Sequence, residues 1–402
     1  MKKVLSFITL IIVVYCSYGQ NTRSLNITPA IMYHPALHNI QHQERLDSFL
    51  PVCAADYYKY KRPNIPDIEI LKSHLGVFRP DSHLDSLIDS LRKETVEMLS
   101  FKYINIGSQS VGIPNMSYSS ITDEEKRLAR AIYEDVKHFS DSTVKVVISN
   151  DNNIYVDIPA NTDEEIPPIL FLTHVYTKPE VWINGIKPMI HYCYNGGDIA
   201  LSGGMVLSPN SPQGAHLKNL VGKTIITSDG TKCLGIESKT GCVVLIRMIS
   251  KIAPVLTLKP IGGIPKHDLF HGRVMIVFSQ NESDSKEGLR KIISVFGEKP
   301  DILIDVDGSS YDQFTVPNDS DIPDFVPELI MNAAKSVGLD MKPMYLQDTI
   351  TSEKMIKGCK VYSGKNAVHS CYEWTCLEEL ILLTDMMTNL VKQVYNTRKR
   401  KD

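Results

Sequence analysis

The 402-residue chain has little excess charge of either sign: 43 Lys and Arg against 46 Asp and Glu leave a net charge of −3. That balance gives no electrostatic case for nucleic-acid binding. The basic run Arg398-Lys-Arg-Lys401 is short and reads as a solvated tail. The chain lacks any C-x-x-C spacing, which excludes a structural zinc ribbon. It lacks a G-x-S-x-G nucleophile elbow and an H-E-x-x-H helix, which removes two common routes to hydrolysis. Gly222-Lys-Thr224 lacks the upstream glycine of a phosphate loop, position 217 being Leu, so it reads as a turn into a strand. Beyond the N-terminus no apolar run is long enough for a membrane span. There is no internal repeat and no low-complexity segment.

What is present begins with an export signal. Lys2-Lys3 supply positive charge, Val4 to Tyr15 a short apolar stretch, and Ser17-Tyr18-Gly19 small residues for cleavage. The expectation is a signal peptide over 1–19 and an exported, periplasmic or extracellular protein. Acylation at Cys16 is the less favoured alternative, because Tyr15 is bulky where a lipoprotein signal wants a small residue. Seven cysteines would remain: Cys53, Cys193, Cys233, Cys242, Cys359, Cys371 and Cys376. An odd, dispersed set is not a disulfide framework.

Residues 20–94 read as an N-terminal extension with one amphipathic helix on Leu84, Leu87, Ile88 and Leu91; Asp56–Tyr60 reads as a packed surface loop. Thr122-Asp-Glu-Glu125 is a capping box ahead of Leu128, Ile132, Val136 and Phe139, which predicts a helix. Val144–Ile148 and Ile154–Ile158 flank Asn150-Asp-Asn-Asn153 and predict a hairpin. Strands over 169–173, 274–278 and 302–306 then alternate with helices over 241–252, 286–296, 325–337 and 375–396. Strands apolar throughout are covered on both faces, so the fold class is α/β: a mixed, mostly parallel sheet flanked by helices.

Polar residues stand where those strands end. His174 follows Ile169–Thr173, Glu282 follows Val274–Phe278, and Asp307 follows Ile302–Ile304; Glu237 precedes a helix. Ligands in such sheets lie beyond the carboxyl ends of the strands. His, Glu and Asp gathered there are what a metal-activated water needs.

From about residue 100 to 395 this order resembles peptidase T, a two-zinc aminopeptidase family. The stretch from Asp157-Ile-Pro-Ala-Asn161 to Gly241 carries the resemblance most firmly, through Gly196-Gly-Asp-Ile-Ala-Leu201, Leu207-Ser-Pro209 and Gly222–Gly230. It implies a zinc-exopeptidase-like domain over 95–402. It also implies that His174, Glu237 (in place of a shared Asp) and Asp307 correspond to the first ion's ligands, with Glu282 at the general-base position. Three matching positions depart from the family. Tyr176 replaces an Asp that orients the imidazole, Ser283 replaces a ligand Glu, and Tyr372 replaces a ligand His. A neutral hydroxyl and a phenol are poor zinc ligands. A one-residue slip would put His369 at that ligand position, but Glu373-Trp374 anchors the register against it. The family's lid and dimerisation domain is expected to be missing, reduced to about residues 309–326, so the family's dimer mode is not available. The substrate loop is altered, as Leu346–Thr351.

The resemblance therefore implies a secreted pseudo-peptidase that keeps a cleft for a peptide or protein ligand and holds no metal. The alternative is a hydrolase with one zinc ion at most, on His174, Glu237 and Asp307, with Glu282 as base. A conventional two-zinc enzyme would need substitute ligands such as His369 or Asp284.

Overall fold

The computed structural model describes residues 99–100, 102–104, 123–140, 142–175, 188–237, 239–253, 270–280, 286–308, 310–317, 323–345 and 358–398. The expected signal peptide with Cys16, the 20–94 extension, Tyr176, Glu282, Ser283, Asp284 and the loop 346–351 lie outside them.

In chain order the elements are α1 (Asp123–Phe139), β1 (Lys145–Ile148), β2 (Ile154–Ile158), β3 (Ile169–His174), β4 (Met189–His191), β5 (Ile199–Ala200), β6 (Val206–Leu207), β7 (Ile225–Thr227) and α2 (Lys239–Ile252). There follow β8 (Val274–Ser279), α3 (Lys286–Phe296), β9 (Ile302–Gly308), β10 (Gln313–Val316), α4 (Phe325–Ser336), β11 (Lys342–Tyr345), β12 (Cys359–Tyr362), β13 (Trp374–Cys376) and α5 (Leu377–Arg398). Eight strands form the main sheet in the order β1-β2-β8-β3-β9-β12-β10-β11. The centre β8-β3-β9-β12 is parallel, while β1-β2, β2-β8 and β12-β10 are antiparallel. The mixed, mostly parallel sheet flanked by helices is thus as the apolar runs predict. No helix among the described residues is long and apolar enough to cross a membrane.

Both faces are covered, which is why β8 is buried at every position. On one face Leu170, Leu172, Met275 and Val277 pack with Ile292 and Phe296 of α3. On the other, α2 comes so close to the sheet that a Cβ at Gly241 would stand 2.3 Å from Thr173 Oγ1 and 2.6 Å from the Val306 carbonyl oxygen. At the end of β2, Arg273 donates through Nε and Nη2 to the two oxygens of Asp157 at 2.9 and 2.8 Å and through Nη2 to the Phe296 carbonyl at 2.9 Å. One guanidinium so ties β2 and the end of α3 to the start of β8.

A three-stranded antiparallel sheet, β13-β7-β4, forms a second layer. Its core gathers Tyr194, Leu207, Leu217, Ile225, Trp374 and Cys376. The fully buried Trp374 donates from Nε1 to the Gln213 carbonyl at 2.9 Å. Residues 310–317, inside the stretch read as a lid remnant, contribute β10 to the main sheet.

Candidate functional site

Register builds the first part of the site. In the parallel β3-β9 pair Leu172 stands opposite Asp305. Side chains alternate with a period of two, so two residues further on His174 and Asp307 share the same face at the carboxyl ends. His174 Nδ1 lies 3.0 Å from Asp307 Oδ1. On the other side of β9, Lys360 of β12 is the direct register partner of Asp305. Its ammonium reaches Asp305 Oδ2 at 3.2 Å and Asp307 Oδ2 at 2.8 Å. Lys365, just after β12, donates to Asp307 Oδ1, the oxygen that also meets His174. Asp307 is therefore held by one imidazole and two ammonium groups.

These neighbours decide the protonation states. Burial alone would raise the Asp307 carboxyl; His174, Lys365 and Lys360 outweigh it and hold the group well below the usual carboxylate range. Burial pushes the Asp305 carboxyl up to about 6, with Lys360 opposing and the charge of Asp307 adding to the rise. Burial opposes the charge on Lys360, but Asp305 and Asp307 overcome it and raise its ammonium above its ordinary value.

Glu237 and His369 form the second part. His369 Nε2 lies 3.0 Å from Glu237 Oε1, whereas Glu237 Oε2 is buried with no hydrogen-bond partner. Glu373 ties the two loops that bring this pair together. It accepts from the Gly235 amide at 2.5 Å and from the His369 amide at 2.8 Å, and is 1 % exposed. Its burial raises its carboxyl despite those amides and Lys239. Lys239, also fully buried, donates to the Gly235 carbonyl at 2.5 Å; burial lowers its ammonium to about 8, with Glu373 opposing. His369 sits at φ 60, in the left-handed region that a side chain enters at a cost of about 1–2 kcal/mol. Such strain persists where surrounding contacts over-determine it, and here those are Glu373 and Glu237.

The structure thus brings the predicted donors together in pairs. Among the described residues no three His, Cys, Asp or Glu side chains gather as a group able to hold a metal. The expected single-ion set His174, Glu237 and Asp307 is not assembled as one cluster, because Asp307 is claimed by the lysines and Glu237 by His369. Tyr372 packs against the apolar core around Trp374. Lys360 and Lys365 are the participants that sequence reasoning did not assign; His369 was named there only as a substitute ligand. One signal for Lys360 was available: a lysine inside Cys359-Lys-Val-Tyr362, an otherwise apolar strand, needs a carboxylate next door.

Aminopeptidase PepT from Bacillus cereus superposes with a TM-score of 0.50 at 13 % identity, covering 75 % of this chain and 99 % of that one. In sequence, the chain is 32 % identical over 213 residues to a protein named Peptidase T from Geobacillus kaustophilus, covering 52 % of this chain and 46 % of that protein. It is 31 % identical over 219 residues to a Peptidase T from a second Geobacillus strain, covering 54 % and 48 %. The chain spans about half the length of the curated relatives it matches. No family model matches it.

Proposed function

We propose that this protein is an exported, peptidase T-like peptide-binding protein that does not hydrolyse its ligand by two-zinc chemistry. The observation that carries the reading is the set of partners on Asp307: both carboxylate oxygens are engaged by ammonium groups of the chain itself. Two zinc ions sharing a carboxylate require donors free to converge on them. Paired as they are, Asp307 with lysines and Glu237 with His369, these donors do not fit such a centre. The peptide would dock at the carboxyl ends of β3 and β9, where ligands of open α/β sheets bind. Loss of the family's dimer belongs to the same proposal and is measured by light scattering.

The test is tripeptide binding by calorimetry beside tripeptide hydrolysis, with and without added zinc. Binding without turnover in either condition is expected. Zinc-dependent turnover, with two ions per chain, overturns the reading. One observation favours a second reading. The partnerless, buried Oε2 of Glu237 is an open acceptor that a bound cation would satisfy. On that reading the protein is a single-zinc peptide hydrolase with Glu282 as base. One zinc per chain, with turnover lost in Glu282→Gln, would establish it. Export is tested by fractionating cells that express the full chain and sequencing the mature N-terminus.

A further inference from the structure

Two charged groups to which sequence reasoning gave no role stand beside Asp307: the lysines on β12 and just after it. Lys365 has a side chain 5 % exposed, and Lys360 one 33 % exposed. Charged lysines are rarely so enclosed unless they are paired. Here the pairing is complete on both sides. Lys365 meets Asp307 Oδ1, and Lys360 bridges Asp307 Oδ2 and Asp305 Oδ2 at 2.8 and 3.2 Å. Two carboxylates face two ammonium groups, so the cluster is neutral without any ion from outside.

We infer that Lys360 and Lys365 are a built-in cation: they occupy the electrostatic role of a divalent metal at Asp307 and exclude one from it. The inference rests on the reading that the cleft does not run two-zinc chemistry, and it names what keeps the ion out. Lys360 bridges two carboxylates in the manner of a shared cation. Lys365 competes for the oxygen that also meets the imidazole of His174. A divalent ion approaching Asp307 would meet the enclosed charge of Lys365 and the partly exposed charge of Lys360 and find both oxygens donated to. The backbone fixes the arrangement, since Lys360 is locked opposite Asp305 by the β9-β12 register. The cluster also makes the site indifferent to chelators, because nothing in it can be stripped.

Zinc alone is the probe, with the full chain and three variants: Lys360→Met, Lys365→Met and the double variant. Methionine keeps side-chain length and removes the charge. In equilibrium dialysis the wild type is expected to retain no stoichiometric zinc, and its Tm to be unmoved by EDTA. The double variant is expected to take up about one zinc per chain, at least roughly tenfold tighter than wild type, the scale on which neighbouring groups tune metal affinity. Adding Asp307→Asn to it should abolish that uptake. Wild-type zinc that Asp307→Asn removes overturns the inference, whereas the functional reading falls only to zinc-dependent turnover with two ions per chain. A folded double variant that binds no zinc overturns the inference alone, and tripeptide binding by the wild type then still decides the function. If the double variant fails to fold, Lys360→Met, at the more exposed of the two lysines, carries the comparison: gained zinc supports the inference, and no gain overturns it.

Discussion

Gly241→Ala sets two known effects against each other. Gly241 lies in the first turn of α2, and alanine is the better helix former by about 1 kcal/mol. Propensity alone therefore predicts a more stable protein. The structure predicts the opposite. The added methyl would sit 2.6 Å from the Val306 carbonyl oxygen of β9 and 2.3 Å from Thr173 Oγ1 of β3. Thr173 is not free to rotate away, because its hydroxyl donates to that same Val306 carbonyl at 3.1 Å. The backbone oxygen cannot move without disturbing the centre of the sheet. Relief requires α2 to withdraw by close to 1 Å, in a layer packed as densely as a crystal. Overpacking of this kind costs about 1–3 kcal/mol, and the close backbone contact puts the change at the upper end, so the net effect is a loss of about 1–2 kcal/mol after the propensity gain. In a domain this large that lowers the Tm by several degrees. The loop before α2 carries Glu237, so the same shift should loosen its 3.0 Å contact with His369. Urea unfolding of both proteins reads the energy. A variant as stable as wild type, or more stable, would refute the claim that α2 is seated on the sheet through this glycine.

Three further outcomes are expected. Asp307→Asn strands the enclosed Lys365 ammonium and the partly exposed Lys360 ammonium and should cost about 3 kcal/mol in urea unfolding, the low end for a buried pair; because folding depresses this carboxyl, its contribution is complete above the unfolded carboxylate value and is lost only as pH falls toward the folded one, so the wild-type advantage should shrink in strong acid. Arg273→Ala removes a two-pronged contact to Asp157 and a bond to the Phe296 carbonyl; with the pair about a quarter exposed, a loss of about 1–2 kcal/mol is expected, and no loss would show that the end of β2 is held otherwise. Maleimide labelling of the native protein should mark exposed Cys193 and spare Cys242 and Cys376, which are buried and whose thiols burial pushes well above the usual range; rapid labelling of Cys376 would place β13 wrongly.

The long elements were legible because their periodicity is strong. The hairpin at Asn150–Asn153 and the helices following Thr122, Lys239 and Phe325 lie within a residue or two of where apolar spacing puts them. The short strands β10, β11 and β12 were not legible. Four residues containing Gln, Lys or Pro carry no alternation to read, and they become strands by adding in turn to the edge of the sheet, β12 on β9, β10 on β12 and β11 on β10. The pairing of His174 with Asp307 follows from strand ends and register, so it could be foreseen. The pairing of Glu237 with His369 depends on a left-handed residue and on loops tied by Glu373, which no spacing reveals. Tyr372 was read as a lost ligand from its position in a motif; the structure packs it against the core around Trp374.

The crossed lysines on Asp305 and Asp307 also act as a ratchet on the chain's future. Removing an ammonium first leaves an acid without its counter-charge; supplying new donors first leaves them facing positive neighbours. Each such step therefore carries a cost in stability before any donor gained can repay it.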